Sequence, residues 1–228
     1  MPRSSREKAG QNREAIEQAS SRLFRERGLT GISVADVMGA AGLTHGGFYS
    51  HFASKDALAA TACDRAFAEA LERWRQRIDA HPGDADAARA AVVVPYLSER
   101  HRDAPGAGCA GVALAADVAR ENADKPVRQS YIEGLEGLIA QWERTLPGPH
   151  DARRDRALAE MAMMMGAVML ARATHGAPLS EQILSATLAA LTRPVAGENR
   201  PPSCNAADTA KTTTRGKKRT SRPAAPED

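Results

Sequence analysis

Residues 41–58 read AGLTHGGFYSHFASKDAL, and two adjacent glycines, Gly46 and Gly47, follow Thr44 and His45 where the surrounding pattern calls for a helix. A glycine inside a helix costs about 1 kcal/mol relative to alanine, so a pair kept together gains from missing side chains. One gain is close approach to another molecule, with Thr44 and His45 left to make polar contacts; the other is tight packing between helices, and the residues alone leave both open. The first is recognition chemistry rather than bond-making chemistry. The chain contains no P-loop or Rossmann glycine loop, no HExxH and no GxSxG, and the glycine run at 104–108 lacks the strand that phosphate loops follow. No catalytic residue and no cofactor are expected. His101, Asp103 and Cys109 match no standard ligand spacing, so no metal site is expected either.

The elements that hold this run in place are legible upstream and downstream. Ile16, Ala19, Leu23 and Phe24 recur at helical spacing over residues 12–27, and Gly28 stops them. Ser33 and Asp36 have the spacing of a capping box and open a short second helix with Val34, Val37 and Met38 turned inward, ended by Gly42. Thr44 is placed to cap a third helix, on which Phe48 and Phe52 form the buried stripe. Ser54 caps a long fourth helix, with Phe67, Leu71, Trp74 and Ile78 in register until His81, Pro82 and Gly83 break it. Helix, short helix, tight turn and short helix make a helix-turn-helix, whose second paired helix enters the major groove of DNA.

The run from Ala41 to Leu58, with the helix and turn before it, resembles the signature of TetR/AcrR-type transcriptional regulators. In that signature a small-residue pair, an aromatic-Tyr, an x-His-Phe and a Ser-Lys-acidic run recur in this order. The match is gapless over 18 positions and extends less sharply over residues 12–58. The resemblance implies that Ser33 and Tyr49 offer hydroxyls to phosphates, and that Lys55 places a point charge on a phosphate at the start of the fourth helix. It implies that Thr44, His45 and Gly47 face base edges or thymine methyls, that Gly46 keeps the approach open, and that His51 reaches the DNA backbone. His45 departs from the lysine common at its position, which removes a fixed positive charge. It further implies a homodimer on a palindromic operator, a repressor action, and release by a small-molecule effector.

Beyond Gly83 the pattern is coarser. Helices are expected over 84–100 with a kink at Pro95, 110–122, 127–146, 151–175 and 179–193, giving an all-α chain of about nine helices. The expected organisation is an N-terminal arm and helix-turn-helix domain over 1–56 (core 12–56), an effector-binding and dimerisation domain over 57–195, and a disordered basic tail over 196–228. Candidate walls for a partly apolar effector are Tyr96, Leu97, Cys109, Tyr131, Leu135, Trp142, Met161 and Met165, each of which also suits an ordinary core. The last two long helices suit a dimer seam or an intrachain core. Cys109, at the start of a helix, suits a thiol sensor or a small buried residue.

Aromatic residues make up only 4% of the sequence and the net charge is +3. The residues from 197 onward carry 7 Lys/Arg against 4 Asp/Glu, which admits a non-specific architectural DNA binder as an alternative to base reading. No signal-like apolar core and no apolar stretch long enough for a membrane span are present, and the odd, scattered cysteines form no disulfide framework. A cytoplasmic protein with reduced thiols and no membrane partner is expected.

Overall fold

In the computed structural model, residues 3–193 are described; the basic tail and Cys204 lie outside them. The elements run α1 (Arg3–Arg27), α2 (Val34–Ala40), a 3₁₀ helix (His45–Ser50), α3 (Lys55–Asp79), α4 (Ala85–Tyr96), α5 (Glu99–Asp103), a second 3₁₀ turn (Pro105–Ala107), α6 (Ala110–Arg120), α7 (Pro126–Glu143), α8 (His150–Ala173) and α9 (Pro178–Leu191). The fold is all-α, as the composition requires, and no strand occurs among the described residues.

Local chemistry sets the first boundaries. Gly28 and Gly42 take φ of 77° and 70°, the left-handed conformation that closes α1 and α2. The Ser33 side chain accepts from the Asp36 N–H at 3.1 Å while Asp36 accepts from the Ser33 N–H at 2.8 Å, a complete capping box that contributes about 1 kcal/mol. Ser54 caps α3 by accepting from the Ala57 N–H at 3.1 Å. Ile16, Phe24, Val37, Met38, Phe48 and Leu58 meet in a sealed core that fixes α1, α2 and the 3₁₀ helix against the start of α3.

Two expectations change here. The first helix already begins at Arg3 rather than near residue 12, because Ser4 to Gln11 carry nothing that breaks a helix except Gly10. The third helix is a 3₁₀ helix, and Thr44 occupies its N-cap position without a side-chain hydrogen bond. Six residues containing two glycines give little α-propensity, and i→i+3 bonds such as Gly47 N–H to Thr44 C=O, 3.1 Å, close the turn instead.

Past residue 54, α3 is the axis of the molecule, packed on α1 near its start and along α7 for much of its length. Gly134 lets α7 come directly beneath the Phe67 ring, and Gly137 lies under Leu71. Edge-to-face pairs Phe67–Tyr131 (5.5 Å) and Trp74–Trp142 (5.9 Å) follow along the seam. Pro95 sits in the last turn of α4 and the chain turns at Leu97, after which Ser98 caps the separate α5, so the expected kink is a break between two helices. At the far end Arg89 is 2% exposed and donates to both carboxylate oxygens of Glu160, at 2.9 and 3.0 Å, and to the Leu191 carbonyl. The Trp142 indole N–H donates to the same Glu160, 2.8 Å, so α4, α7, α8 and α9 converge on one buried charge pair. None of the described helices is long and apolar enough to cross a membrane.

Candidate nucleic-acid interface

The 3₁₀ helix presents one face to the core and one outward. Phe48 and Phe52 are buried, their rings stacked at 5.9 Å. Thr44, His45, Gly46, Tyr49 and Ser50 are exposed, and Tyr49 stands out with 70% of its surface accessible, braced edge-on by Phe48 at 5.2 Å. Neither glycine of the pair takes the left-handed conformation. A Cβ added at Gly46 meets nothing, and one at Gly47 meets only the Met38 methyl at 3.6 Å, an ordinary contact. Packing among the described residues therefore requires neither glycine.

The flanks are set by ionic and capping chemistry. Lys55 opens α3 and is half-buried, beside α3's free N–H groups; the neighbouring Asp56 is held by Lys125 at 2.6 Å. His51 is half-buried at the end of the 3₁₀ helix, and its carbonyl accepts from Arg13 at 2.7 Å, while the Arg13 guanidinium stacks over Phe52 at 4.4 Å. Arg13 thus ties α1 to the presented helix, a role the sequence reading missed; its signal was an arginine on the polar face one turn before Glu17, to which it is also paired at 2.9 Å. Ser33 is exposed, but its hydroxyl proton is directed to Asp36, 2.5 Å. That bond and the Ser33 N–H hold the Asp36 carboxyl below its ordinary pKa.

A second concave feature lies between α3, the α4–α5 corner and α7. Its volume is about 310 Å³, and Trp74, Tyr96, His101, Cys109 and Leu138 form its inner wall, with Arg73, Arg77 and Arg100 around it. Of the candidate effector residues it contains Tyr96 and Cys109. Leu97, Trp142 and Met161 are buried in the core and do not line the cavity. Tyr131 donates its hydroxyl to the Gly111 carbonyl at 2.7 Å; Leu135 packs half-buried against the core, and Met165 lies against Gly111, so these three stand off the cavity as well.

The cavity's polar groups are tightly defined. The Cys109 N–H donates to Nε2 of His101 at 3.0 Å, which fixes the proton on Nδ1, and Nδ1 donates to the Tyr96 carbonyl at 2.6 Å. Burial lowers the His101 pKa, so the ring stays neutral. Burial raises the Tyr96 pKa well above its usual range, and the hydroxyl, beside the Cys109 thiol, has no partner in hydrogen-bond geometry. Cys63, in contrast, is remote from the cavity, fully buried and pushed up to about 12 by burial, which makes it an inert thiol.

A helix-turn-helix core with an outward-facing second helix is the framework of a DNA-binding protein. Residues 16–62, the helix-turn-helix region, match the family of bacterial regulatory proteins, tetR family. Among curated proteins none matches it by sequence. Solved structures share the fold. The reduced form of NemR from E. coli is 22% identical at TM-score 0.65, with 79% of this chain and 94% of that one covered. A TetR transcriptional regulator from Chloroflexus aurantiacus J-10-FL is 24% identical at TM-score 0.65, covering 82% and 94%. Another from Legionella pneumophila is 15% identical at TM-score 0.66, covering 78% and 96%.

Proposed function

We propose that the chain is a homodimeric, cytoplasmic repressor that leaves a palindromic operator when a small molecule fills the cavity at Tyr96 and Cys109. The observation that carries the DNA side is the glycine pair: with no internal neighbour needing its missing side chains, its use is to admit a partner from outside. Tyr49 and Lys55 then clamp phosphates, Thr44, His45 and Gly47 face the bases, Gly46 leaves room, and His51 contacts the backbone. Ser33 joins once its hydroxyl turns from Asp36. In this reading residues 12–56 bind DNA and 57–195 bind effector and dimerise.

The dimer is supported by α8, where Leu158 and Met169 are 43% and 52% exposed along a row that includes the small residues Ala162, Gly166 and Ala173. A helix leaves such a row uncovered when a second copy closes it. Coupling is supported by the loop that follows α5. Ala104, Ala107 and Cys109 are cavity wall, while the adjoining Gly106 abuts Glu26 and the Gly108 carbonyl accepts from Arg25 at 3.0 Å. On α6, Asp117 accepts from the Leu29 N–H at 2.9 Å, so the cavity wall is bonded to the end of α1. A ligand that displaces this loop moves α1 and the helix it carries.

The test is selection of bound duplexes from a random pool, followed by a release screen on the selected site. Enrichment of no palindrome would reject the reading. A second reading, release by oxidation of Cys109, is favoured by its place on the cavity wall. Cys109→Ser separates the two: it abolishes oxidant release and leaves ligand release intact.

A further inference from the structure

Buried guanidinium groups in this chain are answered by carboxylates: Arg89 by Glu160 at 2.9 Å, and Arg102 by Asp103 at 2.6 Å. Around the cavity, Arg73 and Arg100 are exposed and Arg77 is half-buried. Arg73, Arg77 and Arg100 border it, no Asp or Glu lines it, and among the described residues none of the three has a carboxylate partner. Arg73 and Arg77 stand one turn apart on α3, a like-charge pair that is unfavourable on a helix. Burial, with the repulsion of Arg73, holds the Arg77 pKa below its ordinary value. His101 is neutral and supplies no anion. Lining the same cavity are the flat indole of Trp74 and the side chains of Leu138 and Tyr96, the Tyr96 hydroxyl itself being buried.

We infer that the cavity selects a small organic carboxylate with an apolar body, its charge held by Arg73 and Arg77 and its body against Trp74 and Leu138. A cation would meet three arginines. A neutral ligand would take water from them and return nothing. At about 310 Å³ the space lies at the small end of ligand sites, which limits the body to a fused ring pair or a medium chain. The inference rests on the reading of this cavity as the effector site, and goes beyond it in naming the ligand's charge and size.

The test is calorimetric titration of the full chain with naphthoate and octanoate, their uncharged primary amides and the corresponding amines. The carboxylates are expected to bind at least about tenfold tighter than the amides, the difference a charge-assisted pair makes, and the amines not at all. Inorganic phosphate, lacking a body, is expected not to displace them at equal concentration. Arg73→Gln with Arg77→Gln should erase the preference while the melting temperature of the free protein holds or rises. Equal binding of amides, no carboxylate binding at millimolar concentration, displacement by phosphate, or a preference that survives the double change would each overturn the inference. The effector reading fails separately. A carboxylate that binds as described but leaves DNA affinity unchanged sinks that reading and sustains this inference, whereas an amide or amine that binds tighter and releases DNA does the reverse.

Discussion

The outward face of the 3₁₀ helix and the cavity beside α3 solve opposite problems. The face is defined by what is missing: Gly46 and Gly47 leave space that nothing among the described residues fills, and Tyr49 extends into solvent. The interior is held largely by satisfied groups at fixed distances, with His101 beside the cavity bonded on both ring nitrogens and, away from it, Glu160 receiving Arg89, Arg156 and Trp142. An outer face can therefore be altered with little effect on folding, whereas a buried polar cluster cannot. Free energy spent on recognition and free energy spent on architecture reside in different residues.

The largest expected effect tests the architectural side. Glu160→Ala leaves Arg89 as an unpaired buried cation, and stability should fall by about 3–5 kcal/mol, measured by urea denaturation. A loss below 1 kcal/mol would show the cluster to be relaxed rather than rigid. On the recognition side, Tyr49→Ala with Lys55→Ala should weaken operator binding by about a hundredfold, as two lost phosphate contacts predict, with the urea midpoint almost unchanged. Fluorescence anisotropy at fixed salt measures it, and unchanged affinity would withdraw both residues from the interface.

A sharper version places both effects in one residue. Gly46→Ala adds a methyl that meets nothing among the described residues, so stability should hold or rise by up to about 1 kcal/mol while operator affinity falls about tenfold. Retained affinity would mean that DNA does not approach there. The smallest effect is a pH dependence. The His101 pKa is lowered by burial, so the folded chain resists a proton that the unfolded chain accepts near its ordinary 6.5. Stability from this group is complete above about 6.5 and declines as pH falls through and below that value. His101→Asn should flatten that portion of the curve in thermal melts from pH 7 to pH 5, a range that brackets the histidine titration.

How much of this could be read in advance follows from how local each cause is. Ser33 with Asp36, Gly28, Gly42 and Ser54 act within a few residues of themselves, and each boundary they mark appears in the structure. The choice of 3₁₀ over α at His45–Ser50 was not legible, since Phe48 and Phe52 can be buried from either winding and the sequence shows only their spacing. The cavity was less legible still. Trp142 and Tyr96 are both aromatic at helical spacing, yet one is sealed behind Trp74 and the other borders open space, a difference decided by how closely α7 meets α3. Gly134 and Gly137, three residues apart on α7, were the available signal for that close meeting. Arg73 and Arg77 flank Trp74, and a sequence does not show which arginines go without a carboxylate.

The clamp on Arg89 has one more implication. It grips α4 near its beginning, against α8 and α9, whereas Tyr96 sits at the opposite end of the same rod. A beam fixed at one end and pushed at the other swings about its fixture, so pressure from an occupant at Tyr96 is steered away from the α8–α9 pair. In the proposed switch the yielding part is the short stretch from Ala104 to Cys109 that rests on Arg25 and Glu26, with the base of α1 as the recipient of the stroke.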